Sequence, residues 1–540
     1  MSEYNPPVSQ MLNLIYDVLQ FKHDDLDRET SEAILLEASK LASDVLAPIN
    51  KSADEEGATR DEQGNVKTAA GFKEAYQQYC EGGWNAVPFD PEFGGQGLPY
   101  LLAFPLQEMW QGANMSFGLC PLLNQGAVEA ISHHGSAEQK AFYLPKLISG
   151  EWTGTMNLTE PQAGSDLGLV RTKASPDGKA YKISGQKIFI TYGEHDMTDN
   201  IIHLVLARLD DAPDDVKGIS LFIVPKFLED GTRNNVKCIG LEHKLGIHAS
   251  PTCTMEFDGA TGYLIGQANE GLKYMFTMMN NARLSVGLQG VAIAERAYQH
   301  ALAYAEERVQ GKDYKTGERT VIANHTDIKR MLKSMKSQIA AGRALTYAAA
   351  QALDEGDDVR VDILTPLVKS WCTDMACEVT SLGVQVFGGM GFIEETGAAQ
   401  FYRDARILPI YEGTNGIQAL DLAFRKTLRD SGKSVKTFIG EMLWGDDKEL
   451  EFYKSQLLQC IDELIVAGNS KDLDLVEAMA SPYLKAFAII VATSLLGKGA
   501  RFSVDAQEQA DFFRYNILPH AGAYIYAAIE GSKTLVKNEE

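Results

Sequence analysis

The residues able to carry chemistry converge on 383 to 418, GVQVFGGMGFIEETGAAQFYRDARILPIYEGTNGIQ. An apolar run, Ile407 to Tyr411, leads into Glu412, and Gly413 follows it. A carboxylate in poorly solvated surroundings has its pKa raised toward the working range of a general base. A glycine beside it admits the close approach of a ligand. The same residues also read as a helix start, where a Glu is favourable and Thr414 or Asn415 can cap. Alone, Glu412 reads as a cap-region acid. The case for a base comes from elsewhere in the chain.

Residues 156 to 191 contain MNLTEPQAGSDLGLVRTKA and then YKISGQKIFIT. Together with QVFGG and IYEGT, four separated signatures in one order, they resemble the flavin-dependent acyl-CoA dehydrogenase family from about residue 30 to 430. The segment IIHLVLARLDDAPDDVKGISLFIVPKFL resembles its larger bacterial branch, which includes 3-methylmercaptopropionyl-CoA dehydrogenases and broad-range long-chain enzymes. The resemblance implies an α+β multidomain fold: an N-terminal helical domain, a small β-barrel, a four-helix bundle and an extra C-terminal helical domain. It implies FAD as cofactor, no metal, an acyl-CoA substrate oxidised to the trans-2-enoyl-CoA, an electron-transferring flavoprotein as acceptor, and a homo-oligomer, with a dimer favoured for the longer members.

By the same resemblance, Glu412 is the base and its backbone N–H helps hold the thioester oxygen. Met156, Leu158, Thr159, Phe189, Ile190 and Thr191 line the isoalloxazine, and Ser165 touches both flavin and acyl-CoA. Gln385, Gly388 and Gly389 meet the flavin of a neighbouring subunit. Arg308 reaches the FAD pyrophosphate, and Thr414 lies on the flavin side. Asn280 and Arg283 lie near the CoA adenine, and Tyr411 and Gly413 flank the substrate. Three positions depart from the pattern: no aromatic follows Arg308, Phe189 replaces a Trp but can still stack, and Asn280 replaces an Asp. Some members carry the base on the bundle helix after residue 280, where this chain offers Glu295. Glu394 and Glu395 follow a glycine turn in a polar run and read as solvated.

Composition bounds these expectations. At 540 residues with 45% hydrophobic and 23% charged residues, the chain suits several soluble domains. A net charge of −23 and no basic footprint disfavour the DNA-associated flavoprotein of the same family, and the tail beyond residue 430 carries 11 basic against 16 acidic residues. Seven cysteines without CxxC read as free thiols in a reducing compartment, with Cys372 and Cys377 as packing residues on a helix. The N-terminus has no basic region ahead of an apolar run, so a cytoplasmic protein is expected. The most apolar run, Phe487 to Leu496, is shorter than the roughly 18 residues of a bilayer span.

Periodicity orders the domains. Residues 1–30 read as an arm, and 31–154 carry helical spacing. Residues 155–271 alternate as strands, with a hairpin predicted at Ser184-Gly185. In 272–430, apolar stripes predict bundle helices, among them Leu284, Leu288, Val291 through Val309, and a later helix opened by Asp362 with Pro366 in its first turn. Residues 431–540 read as further helices. The loops Gly94 to Gly97 and Ser431 to Ser434 lack phosphate-loop spacing. No Rossmann fingerprint occurs.

Overall fold

The computed structural model describes residues 1–442 and 447–536, so residues 443–446 and 537–540 of the expected C-terminal segment lie outside the described residues. The chain forms two compact units. One holds Asp44–Pro99 and Ala113–Ala282; the other holds Met1–Ser43, Tyr100–Gly112 and Arg283–Glu540.

In the first unit, helices Met115–His134 and Ala137–Ser149 precede seven strands: β1 Trp152–Asn157, β2 Lys173–Asp177, β3 Ala180–Thr191, β4 Asn200–Leu209, β5 Ile219–Pro225, β6 Val236–Leu241 and β7 Thr252–Leu264. The second of these helices starts on a capping box between Ser136 and Gln139. Strands β4, β2, β3, β7 and β5 close into a ring through the β5–β4 pairing, with β1 added beside β4 and β6 beside β7. Closure removes open edges.

The run IIHLVLARL is apolar at nearly every position because both faces of β4 are buried. Ile202, Leu204 and Leu206 pack with Ile131, Leu144 and Leu147 of the helices, while Val205 and Ala207 pack inside with Phe222, Val224 and Phe257. The predicted hairpin at Ser184-Gly185 is absent: β3 runs unbroken for 12 residues, and its register against β7 shifts at Ile183/Ser184. Gly185 serves close packing there, since a Cβ would lie 2.4 Å from Thr172 Oγ1.

The second unit is helical. Among its helices are α1 Gly271–Glu307, whose first turns up to Ala282 belong to the first unit, α2 Thr326–Asp354, α3 Asp358–Phe387, the short α4 Asn415–Leu420, and α5 Leu473–Gly499. Helix α3 begins four residues before Asp362, because the Asp357 carboxylate caps it by accepting from Arg360 N at 3.0 Å. Pro366 is therefore inside the helix. The stripe of α1 stops at Glu307, and Val309 is exposed in the following strand. Gly388 ends α3 at φ +61°.

Helix α5 has 27 residues and is long and apolar enough to cross a bilayer, but its side chains from Tyr483 to Leu496, Lys485 apart, are mostly buried within the unit, as in a core helix. At the centre of the bundle Arg343 forks onto Glu108 at 2.6 Å and reaches Glu295 at 2.8 Å, while Tyr347 donates to Glu108 at 2.8 Å. This network satisfies charges that burial would otherwise penalise.

Candidate active site

The turn that carries Glu412 sits between the end of the Ala398–Ala405 helix and the start of α4. Tyr411 N donates back to Ile407 O at 3.2 Å, and Asn415 N to Pro409 O at 3.1 Å, so the loop is closed at its base. Thr414 supplies the α4 cap, its hydroxyl accepting from Ile417 N at 3.3 Å. Glu412 and Gly413 then adopt left-handed backbone at φ +54° and +86°. For a non-glycine residue this costs about 1–3 kcal/mol, and such strain concentrates at functional sites.

The Glu412 side chain is half-buried. Burial raises its pKa above the ordinary carboxylate range, and the charges of Arg283 and Lys369 hold that rise in check. Arg283 is only 6% exposed and faces this turn: its Nη2 would lie 3.7 Å from a Cβ on Gly413. Tyr411 donates its hydroxyl to Gln289 Oε1, and Gln289 Nε2 donates onward to Gln111 at 3.2 Å. The amide of Gln418, fully buried, packs against Gly413 and makes no hydrogen bond to protein.

Three neighbours went unmarked in the sequence reading: Lys369, Gln289 and Gln418. Lys369 had a visible signal, a lone cation inside the apolar stripe from Leu364 to Met375. The other acids are paired or solvent-exposed. Glu295 is paired with Arg343 and accepts from Gln299 at 2.9 Å. Glu394 and Glu395 are exposed, and Glu394 pairs with Arg403 at 2.9 Å.

A second cluster lies where α3 ends. Gln385, Gly388 and Gly389 are exposed, and a Cβ on either glycine would meet nothing within 4 Å. Tyr304, one turn before Arg308, stacks on Phe387 with ring centres 4.1 Å apart. That contact ties the end of α1 to the end of α3, and Arg308 itself is exposed. Asn280 is half-buried on α1, one turn before Arg283.

The remaining expected residues belong to the barrel unit. Met156 is buried on β1, with Leu158 and Thr159 half-buried beyond its end. Thr155 Oγ1 donates to Thr191 O and Ile188 N to Thr159 O, both at 2.9 Å, which joins the two segments. The β3 register shifts again between Lys187 and Ile190, and within that bulge Phe189 takes φ +61° and stands 58% exposed, with Ile190 buried behind it. Ser165 is exposed in the following loop.

Glu160, also missed, organises this loop. It pairs with buried Lys187 at 2.8 Å and accepts from Thr172 Oγ1 at 2.6 Å and Arg171 N at 2.7 Å. Burial opposes the Glu160 charge, but Lys187 and these donors outweigh it and hold the carboxyl below its ordinary range. An exposed aromatic face beside threonine edges fits a flat heteroaromatic group such as a flavin.

Comparison with known proteins identifies the family. The acyl-CoA dehydrogenase N-terminal, middle and C-terminal domain profiles match residues 28–151, 155–260 and 269–426. The chain therefore belongs to the acyl-CoA dehydrogenase family, whose members are FAD-dependent oxidoreductases that dehydrogenate acyl-CoA thioesters. It is 50% identical over 472 residues to 3-methylmercaptopropionyl-CoA dehydrogenase of Ruegeria pomeroyi, covering 83% of this chain and 80% of that one. It is 41% identical over 450 residues to a butyryl-CoA dehydrogenase of Syntrophomonas wolfei, covering 78% and 73%. In fold it is similar to Caenorhabditis elegans ACDH-11, with a TM-score of 0.78 at 20% identity over 98% of this chain and 97% of that one.

Proposed function

We propose that Glu412 is the base that takes the Cα proton of the acyl thioester. The observation that carries this is the left-handed Glu412-Gly413 turn, which holds a half-buried carboxylate with a raised pKa against two buried cations. A Cα–H beside a thioester is only weakly acidic, so the base must be desolvated yet ionised near neutral pH. Arg283 and Lys369 keep it ionised, and burial keeps it basic. We assign the Glu412 backbone N–H to the thioester oxygen, where a donor stabilises charge that develops in the transition state. Tyr411 and Gly413 flank that position, and Asn280 and Ser165 are assigned to the CoA side.

Bound FAD supplies the acceptor for the Cβ hydride. Met156, Leu158, Thr159, Ser165, Phe189, Ile190, Thr191 and Thr414 are the residues of this chain assigned to hold it, with Phe189 as the stacking surface. Gln385, Gly388, Gly389 and Arg308 are assigned to the flavin of a second subunit. Their joint exposure at one end of the helical unit supports a homodimer, which light scattering tests.

The deciding experiment is Glu412→Gln in flavin-loaded protein, followed by rapid mixing with butyryl-CoA. Flavin binding persists and flavin reduction falls by about 10²–10⁴-fold or more. Reduction at the wild-type rate would remove the base assignment.

For substrate, the reading is a short unbranched acyl chain, with 3-methylmercaptopropionyl-CoA first. The 50% identical relative supports the sulfur-containing acyl group, and the 41% identical one supports butyryl-CoA, whose chain is one atom shorter. Comparing kcat/KM for these two and palmitoyl-CoA separates this from long-chain use. Fatty-acid β-oxidation or sulfur-acyl breakdown in the cytoplasm, with an electron-transferring flavoprotein as oxidant, is the setting this substrate class suits.

A further inference from the structure

Lys369 is fully buried in the middle of α3. An ammonium in such a place is costly and needs a reason. Its Nζ donates to Asn415 Oδ1 at 3.0 Å. Asn415 is the first residue of α4 and the closing residue of the Glu412 turn, through its N–H to Pro409 O at 3.1 Å. The Asn415 amide nitrogen donates to Asp374 Oδ1 at 2.7 Å and to Ser370 O at 3.1 Å. One helix face therefore grips Asn415 from both sides of its amide, and what it grips is the end of a strained turn.

We propose that Lys369 is a positioning residue for the reaction: it pins Asn415, and through it the left-handed Glu412-Gly413 turn, and holds a positive charge against the Glu412 carboxylate. The inference rests on Glu412 as the base.

The charged groups around this point come from each packed helix. Arg283 on α1 and Lys369 on α3 face Glu412; Glu412, Asp374 and Arg283 face Lys369. Asp421 and Arg425 face Arg283 from beyond α4, and Lys485 on α5 pairs with Asp374 at 3.1 Å. Burial pulls Lys369 down to about 7, with Glu412 and Asp374 pulling the other way. Its charge on Glu412 is thus fully present at acid pH and fades as pH rises through that value.

The test compares Lys369→Met, Lys369→Gln and Glu412→Gln in flavin-loaded protein. Flavin reduction by butyryl-CoA is followed against pH, and melting is followed with and without FAD. For Lys369→Met, the limiting reduction rate falls roughly tenfold below about pH 7, with KM little changed. The acid limb of the profile moves to higher pH, and the charge-dependent part of the deficit shrinks above that pH, where wild-type Lys369 is neutral too. Melting is not lowered, because a buried charge has gone and Thr373 Oγ1 still lies 3.3 Å from Asn415 Oδ1. Lys369→Gln, keeping a donor without charge, shows the same displaced acid limb with a smaller loss of rate.

Both Lys369 variants matching wild type in rate and pH dependence, with Glu412→Gln inactive, would overturn the proposal and leave the base in place. A rate loss tracking a loss of melting temperature, with the acid limb unmoved, makes Lys369 merely structural and overturns it as well. A Glu412→Gln protein as fast as wild type removes the base, and this inference with it.

Discussion

Arg343 Nη2 lies 2.8 Å from Glu295 Oε2, with both side chains under 10% exposed. The acid that an alternative mechanism would use is thus part of the bundle's internal ion network with Glu108, not a free base. Helical spacing alone put Glu295 on an apolar stripe; the partner 48 residues away explains why it can stay there.

The first prediction follows from that pair. Glu295→Gln leaves Arg343 half-compensated inside the bundle. Breaking a buried pair costs about 3–5 kcal/mol, here partly offset by Glu108. Denaturant unfolding reads this as a lower midpoint, while flavin reduction per folded molecule stays within a few-fold of wild type. A loss of several orders of magnitude in reduction would put the base on α1.

The pH dependence of the reduction step is the second. Glu412 must be ionised to accept a proton, and burial raises its folded pKa. The rate is therefore full above that raised pKa and falls as pH drops through it, at a higher pH than an ordinary carboxylate would give. Arg283→Leu removes one of the two cations that hold the rise in check, so its acid limb moves further up. An unmoved limb would separate Arg283 from the base.

Phe189 offers a third. Its exposed ring sits on a bulged, left-handed backbone and contributes little to the barrel interior. Phe189→Ala should leave melting of the FAD-free protein nearly unchanged and weaken FAD binding by roughly tenfold, the scale of one lost aromatic stack. Equilibrium titration of the apoprotein with FAD measures it, and unchanged affinity would remove the ring from the flavin site.

The fourth concerns Glu160 and Lys187. The folded pKa of Glu160 is depressed, so its contribution to stability is present above the unfolded value near 4.5 and is lost as pH falls through the folded one. Glu160→Gln strands Lys187 and loosens the turn from Leu158 to Thr172. It should unfold at lower denaturant than wild type at neutral pH, with the gap closing in strong acid. A gap independent of pH contradicts the ion-pair account.

Much of this protein was legible along the chain because the signals were local. Period-two and helical stripes marked the barrel and the bundle, and the Tyr411-Glu412-Gly413-Thr414 frame carried both a cap and a candidate base. Local signals also misled: Ser184-Gly185 reads as a turn until Thr172 is seen packed against Gly185, and Pro366 reads as a helix start until Asp357 is seen capping α3 earlier. The sign and strength of the field at Glu412 had no local signature. Arg283 lies 129 positions before it and Lys369 lies 43 before it, and only the packing of α1 and α3 around the turn brings both cations to one carboxylate. Burial multiplies the effect of charges at close range, and closeness between residues so far apart in sequence is set by the tertiary fold.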